Sequence, residues 1–255
     1  MYRHDIPNSY FVDGIGISRE FAIAFSRGCG GGLYGSAKNL HAGDIVLFGD
    51  PATWSLLQQA KNEGRNWFYG DKAYFGRGSY YRIAKNAYQS DCKGNVDSSR
   101  WEKLKIGLER WKTGSAVMIC QQSEIFYKLH GLNRADWLKS AICELKKHTD
   151  RKIIIRTKVQ GSTTEDLFKS SLTDIHAVVV HSSVAGVHAA INGVPCFATA
   201  PSSSLYFGSS DLSLIENPIK PDNRFEMACV LANNQWSFEE INNGTAWGML
   251  NESLE

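Results

Sequence analysis

Residues 176–199, HAVVVHSSVAGVHAAINGVPCFAT, decide the fold of this chain. The apolar, β-branched run at 177–180 has the length of a strand buried on both faces, as in a parallel sheet. The polar triplet His181, Ser182 and Ser183 follows it directly. A helix then begins, capped by Ser182 or Ser183, and the small residues Ala185, Gly186, Ala189 and Ala190 let it lie close to a sheet. Gly193 and Pro195 stop it before a second short strand, Cys196–Ala198. In open parallel sheets ligands sit beyond the carboxyl ends of the strands, and helix N-terminal amides suit a phosphate. His181, Ser182 and Ser183 are therefore expected to form an anion site. Serines that only cap a helix, with His181 packed locally, are the purely structural alternative.

Working outward, short apolar runs alternate with helical stretches, the pattern of a parallel sheet flanked by helices. In the first half the expected strands are 9–12, 44–48 and 66–69, with helices at 18–26 and 53–62. In the second half they are Ala116–Cys120 and Lys152–Arg156, with a helix over 134–148 whose Trp137, Ile142 and Leu145 point inward. Gln122 and Ser123 end one of these strands, and Arg156 and Lys158 end the other, where two cations suit a diphosphate. The charged, Gly-terminated stretch 97–114 separates the halves, giving domains at 1–112 and 113–230 and a helical tail at 231–255. Within that tail, Ser237 and Glu240 predict a capping box.

The HSS triplet, the small-residue helix and the NGVP turn together resemble the donor-site signature of GT-B glycosyltransferases, above all capsule-polysaccharide and related nucleotide-sugar transferases. KIIIRTK at 152–158 and the segment 163–180 follow the same family's order. The resemblance implies two Rossmann-like parallel-sheet domains facing across a cleft, with C-terminal helices crossing back. It further implies a nucleotide-sugar as co-substrate with no other cofactor, bound by Arg156, Lys158, His181, Ser182, Ser183, Gln122 and Ser123. Many such enzymes carry a Glu in the helix after the serine loop; this chain has His188 in that region.

The first half supplies the acceptor side of this reading. Asp71 ends an expected strand, where a transferase needs a base to take the acceptor hydroxyl's proton, and Asp13 and Asp50 occupy comparable positions. A turn Asp is the structural alternative. The run 71–89, DKAYFGRGSYYRIAKNAYQ, is rich in aromatic and basic residues with little periodicity, and is read as a surface loop in which Tyr74, Arg77, Tyr81 and Arg82 hold an acceptor. It is similar to proteins of bacteriophage origin associated with DNA modification or surface-sugar transfer, so the expected acceptor is a glycan or a nucleic acid, DNA included. Two further readings stay open: a sugar-nucleotide epimerase of the same fold, and a non-enzymatic nucleic-acid-binding module.

Composition sets outer bounds. A net charge of +2 carries no strong nucleic-acid footprint, and 43% apolar residues suit a globular chain. The N-terminus lacks the apolar core of a signal peptide and nothing approaches a membrane span, so the expected location is the cytoplasm, that of the host if the chain is phage-encoded. Six scattered cysteines without CxxC spacing predict reduced packing residues. The absence of HxxxH, HExxH and DxD spacing predicts no metal.

Overall fold

The structure, a computed structural model, describes residues 6–12, 16–157 and 165–252, so the expectations placed on Asp13 and Lys158 lie outside the described residues. The chain folds into two compact units: Met1–Ser90 with Leu231–Glu255, and Asp91–Val230. Among the described residues no helix is long and apolar enough to cross a membrane.

The first unit holds strands β1 (Asn8–Phe11), β2 (Leu33–Gly35), β3 (Ile45–Phe48), β4 (Trp67–Lys72) and β5 (Tyr81–Lys85). Helices α1 (Gly16–Cys29) and α2 (Trp54–Asn62) belong to it as well. The second unit holds α3 (Ser99–Leu104), β6 (Ala116–Cys120), α4 (Glu124–Lys128), α5 (Arg134–Leu145), β7 (Lys152–Arg156) and α6 (Glu165–Ser171). It continues with β8 (Ile175–Val180), α7 (Ala185–Ile191), β9 (Cys196–Ala198), α8 (Ser203–Tyr206) and β10 (Gly208–Ser209). Helix α9 (Arg224–Asn233) contains the second crossing point between units, and β11 (Gln235–Trp236), α10 (Phe238–Asn242) and α11 (Thr245–Glu252) complete the first.

The sheet of the first unit runs β11-β5-β4-β3-β1-β2. Strands β2, β1, β3 and β4 are parallel, whereas β5 and β11 are antiparallel additions. All four residues of β3 are buried because helices cover both of its faces. On one face Phe21 and Phe25 of α1 pack with Phe48 and Phe68. Gly70 permits this packing, since a Cβ there would stand 2.3 Å from the Phe21 ring. On the other face Leu56, Leu57 and Ala60 of α2 meet Tyr10, Ile45, Leu47 and Tyr69. The C-terminal helices pack Ile241, Ala246 and Leu250 into the α1 side of this core. The capping box forms, with Ser237 Oγ accepting the Glu240 N–H at 3.2 Å and Glu240 Oε2 accepting the Ser237 N–H at 2.8 Å.

Two expectations change here. The third strand does not stop at Tyr69 but runs to Lys72, and the aromatic and basic run beyond it is not a surface loop. Tyr81–Lys85 returns antiparallel beside β4, pairing Asp71 with Arg82 and Lys72 with Tyr81. Tyr74 and Phe75 are buried, and the Gln235 side chain bonds both the N–H and the C=O of Phe75, at 3.0 and 2.9 Å. The run showed no periodicity because β5 lies between two strands and is buried on both faces. The stretch 97–114 likewise lies inside the second unit, and the division falls at Ser90 and Asp91. Trp101 is buried edge-on to Phe225, while the Glu109 and Lys112 N–H groups bond the Ile191 and Gly193 carbonyls. Arg224 lies over the Trp111 ring, 3.9 Å from its centroid, and donates to the Ala190 and Glu109 carbonyls at 2.5 and 2.6 Å. A charged stretch anchored by backbone bonds reads, in composition, like a linker.

The second sheet, β10-β9-β8-β6-β7, is entirely parallel. Alternate residues of its central strands serve two cores: Met118, Val178 and Val180 pack with Phe168, Leu172 and Ala189, whereas Val117, Ile119 and Val179 pack with Tyr127, Trp137, Ala141 and Leu145. All six cysteines are free, and four of them are buried.

Candidate functional site

Because every strand of the second sheet is parallel, their carboxyl ends meet at one edge. The register pairs Cys120 with both Arg156 and Val180, and Val180 with Ala198, so the residues that follow line up side by side. Arg156, Gln121, Gln122, His181, Ser182 and Thr199 thus share this edge. The Gln121 N–H bonds the Arg156 carbonyl at 2.9 Å, and the Thr199 N–H the Val180 carbonyl at 3.1 Å.

Gln122, a buried side chain, clamps Ser182 twice: its Nε2 donates to Ser182 Oγ at 2.9 Å and its Oε1 accepts the Ser182 N–H at 3.4 Å. Ser183 Oγ accepts the Ala185 N–H at 3.2 Å, and its carbonyl accepts the Ser204 hydroxyl at 2.6 Å. Ser204 Oγ in turn accepts the Val187 N–H at 3.1 Å. The Gly186 N–H bonds the Ser183 carbonyl at 3.3 Å. Gly186 is required by this brace, because a Cβ there would come 2.7 Å from the Ser204 side chain. The expected free amides at the start of the helix are therefore occupied by serine oxygens, and α7 is only seven residues long. Its cap is Val184, which has no side-chain acceptor, so neither serine caps it in the expected way.

Arg156 is the cation at this edge. Its guanidinium lies over the Phe168 ring, 4.9 Å from the centroid, and among the described residues it pairs with no carboxylate. Ser123 stands at the start of α4, where its side chain makes no capping bond. His181 is 2% exposed, stacked on Tyr127 with ring centroids 5.2 Å apart and edge-on to Trp137 and His130 at 5.8 and 4.8 Å. Its Nδ1 lies 3.0 Å from Thr199 Oγ1, which also accepts the Trp137 indole N–H at 2.8 Å. Among the described residues its Nε2 has no hydrogen-bond partner. Burial, with the neighbouring His130 charge adding to it, pulls the imidazole down to about 4, so the ring is neutral at neutral pH. A shallow depression lined by Lys146, Arg151 and Glu216 lies at the other end of β7, and Arg151 is already consumed there by Glu216 at 2.9 Å.

At the carboxyl end of the first sheet, Asp71 pairs with Arg82 at 2.5 Å, the side chains being 18% and 6% exposed. The other Asp71 oxygen accepts the Lys72 N–H at 2.7 Å, and Arg82 also donates to the Lys72 carbonyl at 2.7 Å while stacking over Tyr74. The Tyr69 hydroxyl and Arg82 Nε are buried without hydrogen-bond partners. Desolvation, reinforced by Asp71, holds the Tyr69 phenol well above its ordinary value. Gly49 makes room for both, since a Cβ there would lie 2.4 Å from the Tyr69 oxygen and 3.4 Å from Asp71 Cγ. Asp50 is a turn residue whose carboxylate accepts the Ala52 N–H at 2.9 Å.

Of the four residues expected to hold an acceptor, Tyr74, Tyr81 and Arg82 are buried and Arg77 alone is exposed. The donor-side expectations that fall within the described residues all lie at or beside the second sheet's carboxyl edge. Thr199, Trp137, Tyr127 and Tyr69 were not anticipated. The signal for Thr199 is its position directly after the expected strand Cys196–Ala198.

These two sheets, with polar strand ends and terminal helices returned to the first unit, define a Rossmann-like, two-unit α/β protein of the GT-B type. No protein-family model and no curated protein matches the chain significantly. Solved structures do match it: Thermosulfurimonas dismutans KpsC, beta Kdo 2,4 transferase, aligns with a TM-score of 0.56 at 9% identity, over 92% of this chain and 93% of that one. The beta Kdo 2,7 transferase of KpsC from the same organism aligns with a TM-score of 0.53 at 12% identity, over 96% and 99%. At these identities the likeness is one of fold.

Proposed function

We propose that the chain is a glycosyltransferase that moves a sugar from a nucleotide-activated donor to the hydroxyl of a glycan acceptor. The observation that carries this reading is the alignment of Arg156, Gln122, Ser182 and His181 at one edge of a parallel sheet, with no carboxylate partner for Arg156 among the described residues. An unpaired guanidinium at that edge suits a phosphate, whose charge grows as the sugar leaves. Lys158, two residues on in sequence, is the second cation of this reading. The fold shared with two carbohydrate transferases supports the same class.

Asp71 is the base in this proposal. Arg82 fixes its carboxylate in place, and the remaining lone pairs accept the acceptor's O–H. The acceptor oxygen bonds to the sugar carbon as its proton passes to Asp71, and the phosphate leaves with the electrons of the broken C–O bond. A nucleic-acid acceptor loses its support, because Tyr74 and Tyr81, the two aromatic residues expected to hold an acceptor, are in the core.

The test is calorimetry with CMP, UDP and GDP on the wild type and on Arg156→Ala. Loss of a charge-assisted contact weakens the nucleotide that binds by about ten- to a hundredfold. Equal affinity in the two proteins, or no binding by any of the three, refutes the donor site.

A further inference from the structure

We infer that Thr199 and Trp137 are positioning residues that lock His181 in its Nε2–H tautomer, so that it offers a neutral hydrogen-bond donor to a ligand oxygen at the carboxyl edge of the second sheet. The ligand contact rests on the donor-site reading above; the tautomer does not.

The donors and acceptors around one hydroxyl decide the tautomer. Thr199 Oγ1 has two lone pairs and one hydrogen. Trp137 Nε1 is a donor only, so at 2.8 Å it takes one lone pair. If the Thr199 hydrogen points to His181 Nδ1, 3.0 Å away, the imidazole proton must sit on Nε2. One polar group is then unpaired, the Nε2–H. If Nδ1 carried the proton instead, Thr199 would accept twice and its own hydrogen would have no acceptor among the described residues, while Nε2 would be left as an unpaired acceptor. The first arrangement leaves fewer buried groups unsatisfied, and it is therefore the favoured one.

A donor 98% removed from solvent with no partner calls for an explanation. His181 directly follows β8, beside the Gln122–Ser182 clamp, and β6 alone separates its strand from that of Arg156 in the sheet order. The missing partner is therefore an oxygen of the molecule that Arg156 attracts. Of the three rings around the imidazole, Tyr127 and Trp137 are buried in the core and His130 is exposed. Rotation of His130 uncovers the imidazole for such a contact.

Nitrogen-15 NMR of histidine-labelled protein reads the tautomer directly. In the wild type, His181 should show a protonated Nε2 and an unprotonated Nδ1, Thr199→Ser should keep that pattern, and Thr199→Val should lose it. Titration with whichever of CMP, UDP or GDP binds should shift the Nε2–H resonance, and Thr199→Val should bind it about three- to tenfold more weakly while Thr199→Ser does not. A proton on Nδ1 in the wild type overturns the inference whatever else is found. A bound nucleotide that leaves Nε2–H unmoved, with unchanged affinity in Thr199→Val, overturns the ligand contact and leaves the Arg156 site standing. No binding by any of the three nucleotides removes the donor site and the contact together.

Discussion

The buried His181 makes the stability of the second unit depend on pH in a predictable direction. In the folded chain the imidazole is drawn down to about 4 by burial and by His130, whereas in the unfolded chain it titrates near 6.5. Between those values the unfolded state binds the proton and the folded state does not, so stability falls as the pH falls. Integrating the two titrations from pH 7 to pH 5 gives a loss of about 2 kcal/mol, with the remainder lost on approach to pH 4. Most carboxylates titrate below pH 5, so this window isolates the histidines. The perturbation is His181→Asn, which keeps an amide oxygen near Thr199 and cannot titrate. Urea unfolding at pH 7 and pH 5, followed by tryptophan fluorescence, should show the wild type losing about 2 kcal/mol more than the variant across the interval. Equal losses in the two proteins would refute both the burial argument and the neutral state of the ring.

Tyr69→Phe removes a buried hydroxyl that has no partner, so the variant should melt at the same temperature as the wild type or higher; a destabilisation beyond about 1 kcal/mol would mean that the hydroxyl is bonded. Arg82→Met strands the Asp71 carboxylate in a mostly buried position and should cost about 3 kcal/mol by chemical denaturation, most of it recovered when Asp71→Asn is added; strict additivity of the two changes would refute the coupling. Asp71→Asn alone should lower transfer by about 10²- to 10⁴-fold with nucleotide affinity unchanged, and near-normal turnover would remove it as the base.

The parts of the fold visible in the sequence are those where burial and periodicity agree. IVLF at β3, AVMIC at β6 and VVV in β8 are runs without alternation because parallel strands are covered on both faces, and each lies within two residues of its expected place. Strand β5, though antiparallel, is also covered on both faces, but its polar residues at both ends, Tyr81 and Arg82 at one and Lys85 at the other, give it the composition of a solvated surface. Arg82 is accommodated by a carboxylate and a carbonyl contributed by β4, and Tyr81 by Phe238 of the tail, partners that a local reading cannot supply. The stretch 97–114 misleads for the opposite reason. Most of its charges do face outward, but the Glu109 and Lys112 N–H groups are bonded to the Ile191 and Gly193 carbonyls at the end of α7, and composition carries no trace of that.

At the candidate site, strand order in the sequence places the named residues at one sheet edge but does not show the bonds among them. A serine-rich turn before a small-residue helix predicts free amides for an anion; here Ser183 and Ser204 occupy the amides of Ala185 and Val187, so the loop is braced and not open. Whatever holds a phosphate must then come from side chains, and Arg156 is the one cation among the described residues that ends a strand at this edge without a carboxylate partner. The helix contributes differently. With Gly186 against Ser204 and Gln122 gripping Ser182, it fixes the backbone that leads out of His181. A neutral imidazole held by Thr199 can discriminate by direction, while a guanidinium resting on Phe168 supplies the charge. Rigidity at the serine loop and attraction at β7 are thus separate functions of different strand ends on one sheet edge, and substitutions there should separate them: changes at Thr199 act on geometry and changes at Arg156 on charge.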